Sequence, residues 1–411
     1  MKIVVVGAGV VGITAAHALI EEGHEVTLLD RGEPGAATSR GNAGQIAHVD
    51  ILPLATPAMI WKVAGWLTDP LGPLTVRPRY LPGLAPFLAR FLLASRPSAV
   101  ERSTLGIIPL QAASMPAWER LLARLDLGGE LNRHGTIYAF DNAKALDAHK
   151  PVYDRQRGLG LAHELLDGAA LRKLEPGLSE RFVAGAYFPA VTHVNDPFVL
   201  SQKLASALRQ RGARLEQATV KGLGFTGDQR PLVLLGDGRS LEADRVVIAA
   251  GAWSKPLARA AGDIVPLETE RGYNATITDP GVSFTRPVHF EGHGFVLTPL
   301  KSGLRIGGAV ELADTEAAPN WMRVEAMLSK AKTFLPGLQE RGRTDWMGCR
   351  PSLPDSLPVI GRSTRSPHVI YAFGHAHHGL TQAAATAELI AALIADRTPA
   401  INIAAYRARR F

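Results

Sequence analysis

Three short stretches hold residues whose type and spacing can do chemistry. The first is Gly7-Ala-Gly-Val-Val-Gly12, with Asp30 downstream. Gly7 permits a tight turn, Gly9 removes a side chain where a pyrophosphate must approach, and Gly12 lets a helix pack closely on a strand. The helix start after them, at Val10 and Val11, turns free N–H groups and partial positive charge towards the phosphates. Asp30, roughly twenty residues on, can accept both ribose hydroxyls and disfavours a 2′-phosphate. The second stretch is His375-Ala-His377-His378. Its imidazoles could suggest a metal, but no third ligand type lies at a recognisable spacing, so none is expected. The third is Arg350, whose guanidinium can grip a carboxylate bidentately, cap carbonyls, or pair with Asp355.

These residues need elements to position them. Lys2 to Val6 is a continuous apolar run, as expected of a parallel strand covered on both faces. Ile13 to Glu22 predicts a helix with Ala15, Ala16, Leu19 and Ile20 on one face, ended by Gly23. Glu25 to Leu29 predicts the second strand, with Asp30 at its end. Strand, glycines, helix, strand and acid in this order are the context a dinucleotide site requires. They do not separate FAD from NAD.

Composition sets the frame. A chain of 411 residues with 46% hydrophobic and 20% charged residues is globular and long enough for two domains. Its single cysteine, Cys349, rules out an internal disulfide, a four-thiolate cluster and a cysteine-based zinc site. The net charge of +7 comes from arginines spread along the chain, so no nucleic acid is expected. The opening residues read as strand rather than leader. Residues 51–95 are apolar, with Trp61, Trp66, Lys62, Arg77, Arg79 and Arg90 interspersed. They suit either an interfacial helix pair or helices packed on a substrate domain.

Further segments carry a resemblance. Thr38-Ser-Arg-Gly-Asn-Ala-Gly-Gln45, a short strand near Ala218 to Lys221, Val246 to Ser254, Gly348-Cys-Arg-Pro-Ser-Leu-Pro-Asp-Ser-Leu-Pro-Val-Ile-Gly361 and Gly374-His-Ala-His-His-Gly-Leu-Thr381 follow one another in a familiar order. Together they resemble the D-amino-acid dehydrogenase branch, small-subunit type, of the glycine and D-amino-acid oxidase superfamily. The resemblance implies FAD, held without a covalent link. Contacts would come from Gly7, Gly9, Val10, Val11, Gly12, Asp30, Arg31, Ser39, Asn42, Ala43, Gly44, Gln45, Val220, Ala250, Gly251 and Trp253. Near the C-terminus they would come from Gly374, His375, His378, Gly379, Leu380 and Thr381, where a helix start would face the charge that develops on the reduced ring.

On the same resemblance Arg350 holds the substrate carboxylate, with Tyr273, His293 and His377 beside it. Histidine at 377 departs from the small or neutral residue of dehydrogenase relatives. The implied reaction is hydride transfer from Cα of a D-amino or cyclic D-imino acid, D-alanine-like or cis-4-hydroxy-D-proline-like, with electrons passed to a quinone or another acceptor. Two alternatives stay open: an oxygen-using oxidase of glycine, sarcosine or D-amino acids, and a flavin-binding subunit of a larger dehydrogenase. The implied fold is α/β, a Rossmann-type FAD-binding domain (1–50, 194–262, 346–411) interleaved with an α+β substrate domain (51–193, 263–345) of mixed or antiparallel sheet plus helices. A cytoplasmic protein is expected, with a peripheral membrane contact through 51–95.

Overall fold

The apolar run Lys2–Val6 forms a strand with Ile3, Val4, Val5 and Val6 all buried. In the computed structural model, which describes residues 1–60, 65 and 74–411, it lies inside a six-stranded sheet. The order is Arg214–Gln217, Glu25–Asp30, Lys2–Val6, Arg245–Ile248, Val369–Phe373, Val359–Arg362. The first five strands are parallel and the last is antiparallel to its neighbour. Alternation along the strand sends Ile3 and Val5 to one face and Val4 and Val6 to the other. The first face packs against helices Val10–Glu21, Pro97–Arg124, Pro197–Gln210 and Gly379–Ile394. The second packs against helix Ser254–Ala260 and a small sheet of Val220–Phe225, Pro231–Leu235 and Ser240–Glu242.

A nine-stranded sheet forms the other half. Along it run Arg341–Ser352, Glu268–Asp279, Gly303–Leu312, Phe295–Leu300, Val288–Phe290, Thr136–Phe140, Ala184–Phe188 and Glu164–Asp167, and Leu74–Val76 pairs with Gly303–Leu312. The strand Arg341–Ser352 pairs with Glu268–Asp279 from Arg341 opposite Asp279 to Ser352 opposite Glu268. A domain boundary at 346 therefore cuts a continuous strand, and the change of sheet comes after Ser352. The chain then enters the six-stranded sheet at Val359, after only six intervening residues.

Glu311, buried between these strands, takes Arg271 at 3.0 Å, Arg77 at 2.8 Å and the hydroxyl of Tyr273 at 2.7 Å. Shared by two cations, the carboxylate is compensated where a lone buried charge would be costly.

Pro109 and Pro116 do not break the long helix, which runs from Pro97 to Arg124. Its inner face, with Ile107, Leu110, Trp118 and Leu122, is fully buried, and Trp118 donates its indole N–H to the Leu380 carbonyl at 2.9 Å. Such packing outweighs a proline cost of about 3 kcal/mol. Within 51–95, helix Leu81–Ala94 buries Leu84 and Phe87 near Leu312, and exposes Leu81, Leu92 and Leu93. Trp61, Lys62 and Trp66 lie outside the described residues. Among the described residues no helix is long and apolar enough to cross a membrane.

Candidate active site

A cavity of about 880 Å³ is lined by residues of both halves. At one end its wall is mostly backbone. Gly7 has φ +109°, and a Cβ there would stand 2.4 Å from the Ala249 carbonyl oxygen. A Cβ on Gly12 would stand 1.8 Å from the Gly7 carbonyl oxygen, so this glycine serves the helix–strand contact and does not itself line the cavity. Ala8 and Gly32 donate backbone N–H groups to the Asp30 carboxylate at 2.7 and 3.0 Å. Ser39 accepts the N–H of Val10 at 3.0 Å, at the start of the helix. Arg31 lies 4.0 Å over the ring of Trp253, whose buried indole N–H has no partner. Val11, Val220, Ala250 and Gly251 extend this wall.

The middle of the cavity joins the halves. Asn42 accepts the N–H of Gly44 at 2.8 Å, closing a turn in which Gly44 takes φ +80° and lies behind the wall rather than on it. Arg305 donates to the carbonyls of Asn42 at 2.6 Å and Arg40 at 3.1 Å, and burial lowers its pKa to about 10. Ala43, Gln45, Gly374, Gly379, Leu380 and Thr381 also line the space. Thr381 accepts the N–H of Ala47 at 3.0 Å. Helix Gly379–Ile394 begins there without a side-chain cap, so its positive end meets the cavity. The glycine cradle, the ribose acid, the unpartnered indole and this helix end together fit a dinucleotide carrying a flavin.

The other end is built from charged side chains. Arg350 stands opposite Glu270 in the strand ladder. Its guanidinium lies flat over Gly272, where a Cβ would sit 2.2 Å away. Arg350 Nη1 is buried and unpartnered, and burial lowers the group's pKa against the pull of Glu270. Asp355 pairs instead with Arg410 at 2.7 Å. Behind Arg350, burial raises the Glu270 carboxyl, opposed by Arg350. His377 Nε2 lies 3.5 Å from Glu270 Oε2. His377 lines the cavity with 35% of its side chain exposed, and desolvation by the surrounding wall, with Arg350 and His378 nearby, keeps it well below the ordinary histidine range.

Three expectations need correction. Tyr273 is fully buried, donates to Glu311 and accepts the N–H of Asn320 at 3.0 Å, so its hydroxyl is not offered to a ligand. Along its strand, alternation turns Gly272 and Asn274 to the cavity side, and Arg271 and Tyr273 towards Glu311. His293 is not on the cavity wall; it bonds Asp141 at 2.9 Å and packs on Phe334. The ring of His375 turns back to Thr386 at 3.0 Å, and burial brings its pKa to about 3, leaving mainly its backbone for a ligand.

Other wall residues went unread in the sequence. Tyr138 donates to Asp50 at 2.8 Å and stacks on His289 at 4.3 Å, and His289 meets the Gln45 side chain at 3.0 Å. They come from three distant segments with no local motif, although Tyr138 and His289 fall opposite each other on paired strands. Among the described residues no group of His, Cys, Asp and Glu could hold a metal ion.

Comparison with known proteins fits this architecture. Residues 2–393 match the family described as DAO, FAD dependent oxidoreductase. A D-amino-acid oxidase from Bradyrhizobium diazoefficiens is 35% identical, with 100% of this chain and 98% of that protein covered. A D-amino acid dehydrogenase from Methylobacterium radiotolerans is 31% identical over 98% of this chain and 97% of its own length. Glycine oxidase from Geobacillus kaustophilus shares the fold, with a TM-score of 0.79 at 20% identity over 100% of this chain and 99% of its own. The chain belongs to the DAO family of FAD-dependent oxidoreductases, and FAD is the cofactor its glycine-lined cavity takes.

Proposed function

We propose that the chain oxidises a D-amino acid, or a cyclic D-imino acid such as a hydroxyproline, at its Cα. The observation that carries this reading is Arg350, whose buried guanidinium Nη1 has no partner among the described residues and which stands on the wall of the cavity that holds the nucleotide site. A carboxylate is the natural partner for such a fork, and breaking a buried pair of this kind costs about 3–5 kcal/mol. The two relatives named for D-amino acids support the substrate class and its hand.

Bound FAD supplies the two-electron acceptor for the hydride that leaves Cα. The chain's own residues supply orientation. Arg350 fixes the carboxylate, and Gly272 leaves room for the guanidinium to lie flat. Positioning of this kind lowers a barrier by about 7 kcal/mol or more. The amine reacts in its neutral form, and His377, whose Nε2 stands 3.5 Å from Glu270 Oε2 and whose pKa is lowered by desolvation, borders the cavity as an uncharged hydrogen-bond partner for it. Hydride loss from the neutral amine gives an iminium ion, which water converts to a keto acid and ammonium, while a ring substrate keeps its nitrogen as a cyclic imine.

The electrons pass to a quinone or another acceptor. The dehydrogenase name of the Methylobacterium relative supports this, and the exposed Leu92 and Leu93 beside Arg90 on helix Leu81–Ala94 support a peripheral membrane contact. The oxidase name of the Bradyrhizobium relative favours a second reading, in which oxygen is the acceptor. Anaerobic addition of D- and L-amino acids tests the main reading through bleaching of the flavin absorbance. D-substrates should bleach it, and bleaching by L-substrates alone would overturn the assignment. Readmitting air then separates the acceptors, since rapid reoxidation with peroxide release marks an oxidase.

A further inference from the structure

The far lobe of the cavity has a chemistry of its own. It is walled by Asp50, Tyr138, His149, Tyr153, His289 and Glu291. Tyr138 and His289 are register partners on adjacent strands and stack with their rings 10° apart. The Tyr138 hydroxyl holds Asp50 Oδ1 at 2.8 Å, and no ion pair joins Asp50 to a cation among the described residues. Among the described residues the ion pair of Glu291 is with an imidazole, that of His149, at 3.7 Å.

The cations of the cavity lie elsewhere. Among its described lining residues the lysines and arginines are Arg31, Lys221, Arg305 and Arg350. Arg31 sits on Trp253 at the nucleotide end, and Arg305 holds the Arg40–Asn42 backbone. Arg350 grips at the substrate end. Burial lowers the pKa of His289 and His378, so neither ring offsets the two carboxylates at neutral pH. Arg350 and the two acids line one continuous cavity, with the adjacent residues His377 and His378 also on its wall.

We propose that this site selects an amino acid with a cationic side chain, its carboxylate on Arg350 and its side-chain cation on Asp50 and Glu291. The inference rests on the D-amino-acid reading above and deepens it. Two half-buried carboxylates on one wall, neither paired with a lysine or arginine among the described residues, are left for a cation that a ligand brings. A neutral side chain would displace water from both acids and return nothing, which is how such a site discriminates.

The holoenzyme tests this with D-lysine and D-norleucine, which share a backbone and a four-carbon chain but differ in the terminal ammonium. D-lysine should have the higher kcat/KM by about tenfold or more. In the Asp50→Asn, Glu291→Gln double variant, checked for bound flavin, that ratio should fall to near one. Equal rates for the two substrates, or a preference for D-norleucine in the unaltered protein, would overturn the proposal and leave the D-amino-acid reading standing. A preference for D-lysine that survives in the double variant would overturn the role given to these carboxylates. If no D-amino acid bleaches the flavin, the wider reading fails first and this one falls with it.

Discussion

The two ends of the cavity recognise their ligands by opposite means. At the nucleotide end the chain succeeds by what it leaves out: Gly7 and Gly12 let backbone meet backbone, Gly9 leaves the cavity wall without a side chain beside Ser39 Oγ, and Ser39 and Asp30 are tied to main-chain N–H groups. At the substrate end it succeeds by what it adds: Arg350, His377, Asp50 and Glu291 bring charge or its acceptors on side chains standing on strands, turns and loops. A backbone site fails when volume is added, and a side-chain site fails when a group is removed.

The largest effect should come from adding volume. Gly12→Val would drive its Cβ into the Gly7 carbonyl, so we expect loss of bound flavin and destabilisation by about 3 kcal/mol or more, read by flavin absorbance and thermal unfolding. Removal of charge comes next. Arg350→Ala should retain the flavin while kcat/KM falls on the order of a hundredfold to a thousandfold. Flavin loss of equal size in both variants would erase the contrast between the two ends.

A pH series sharpens the contrast. Folding holds the His375 ring to about 3, whereas the unfolded chain protonates near the ordinary value of 6.5. Between those values the unfolded state binds the extra proton, so stability is complete above the higher value and falls as the pH drops through the window. Melting temperatures measured across that range should decline, and less steeply in His375→Asn.

Smaller effects separate wall from core. Tyr273→Phe should cost about 1–2 kcal/mol through its lost bond to Glu311 and leave KM nearly unchanged. A large rise in KM would return this hydroxyl to the substrate. His293→Ala should cost less still, about 1 kcal/mol or under, with kcat/KM unaltered, because its Asp141 partner is partly exposed.

The same contrast explains what could be read from residues alone. The nucleotide end rests on local patterns: an apolar run, glycines at fixed offsets and an acid at the end of the next strand. The loop at 38–45 and the turn at 374–381 were recognisable only through family likeness. At the substrate end Tyr273 is expected beside the substrate yet turns to Glu311, since Arg271-Gly-Tyr273 gives no local sign of which side meets the cavity. Asp50, Tyr138 and His289 stayed hidden because only the pairing of Thr136–Phe140 with Val288–Phe290 brings two of them together, and a loop brings the third. Pro109 and Pro116 stay inside one helix because its buried face is decided by neighbours that no helix propensity contains.

The short passage from Ser352 to Val359 carries a mechanical consequence. Arg350 stands two residues before the chain leaves one sheet, and a few residues later the chain is woven into the other. Any rocking of one half on the other would have this tether close to its pivot, where displacement is smallest. The anchoring group would keep its station beside the cofactor throughout such a movement, so amino acids would come and go at the far rim, and turnover would not depend on rebuilding the anchor each cycle.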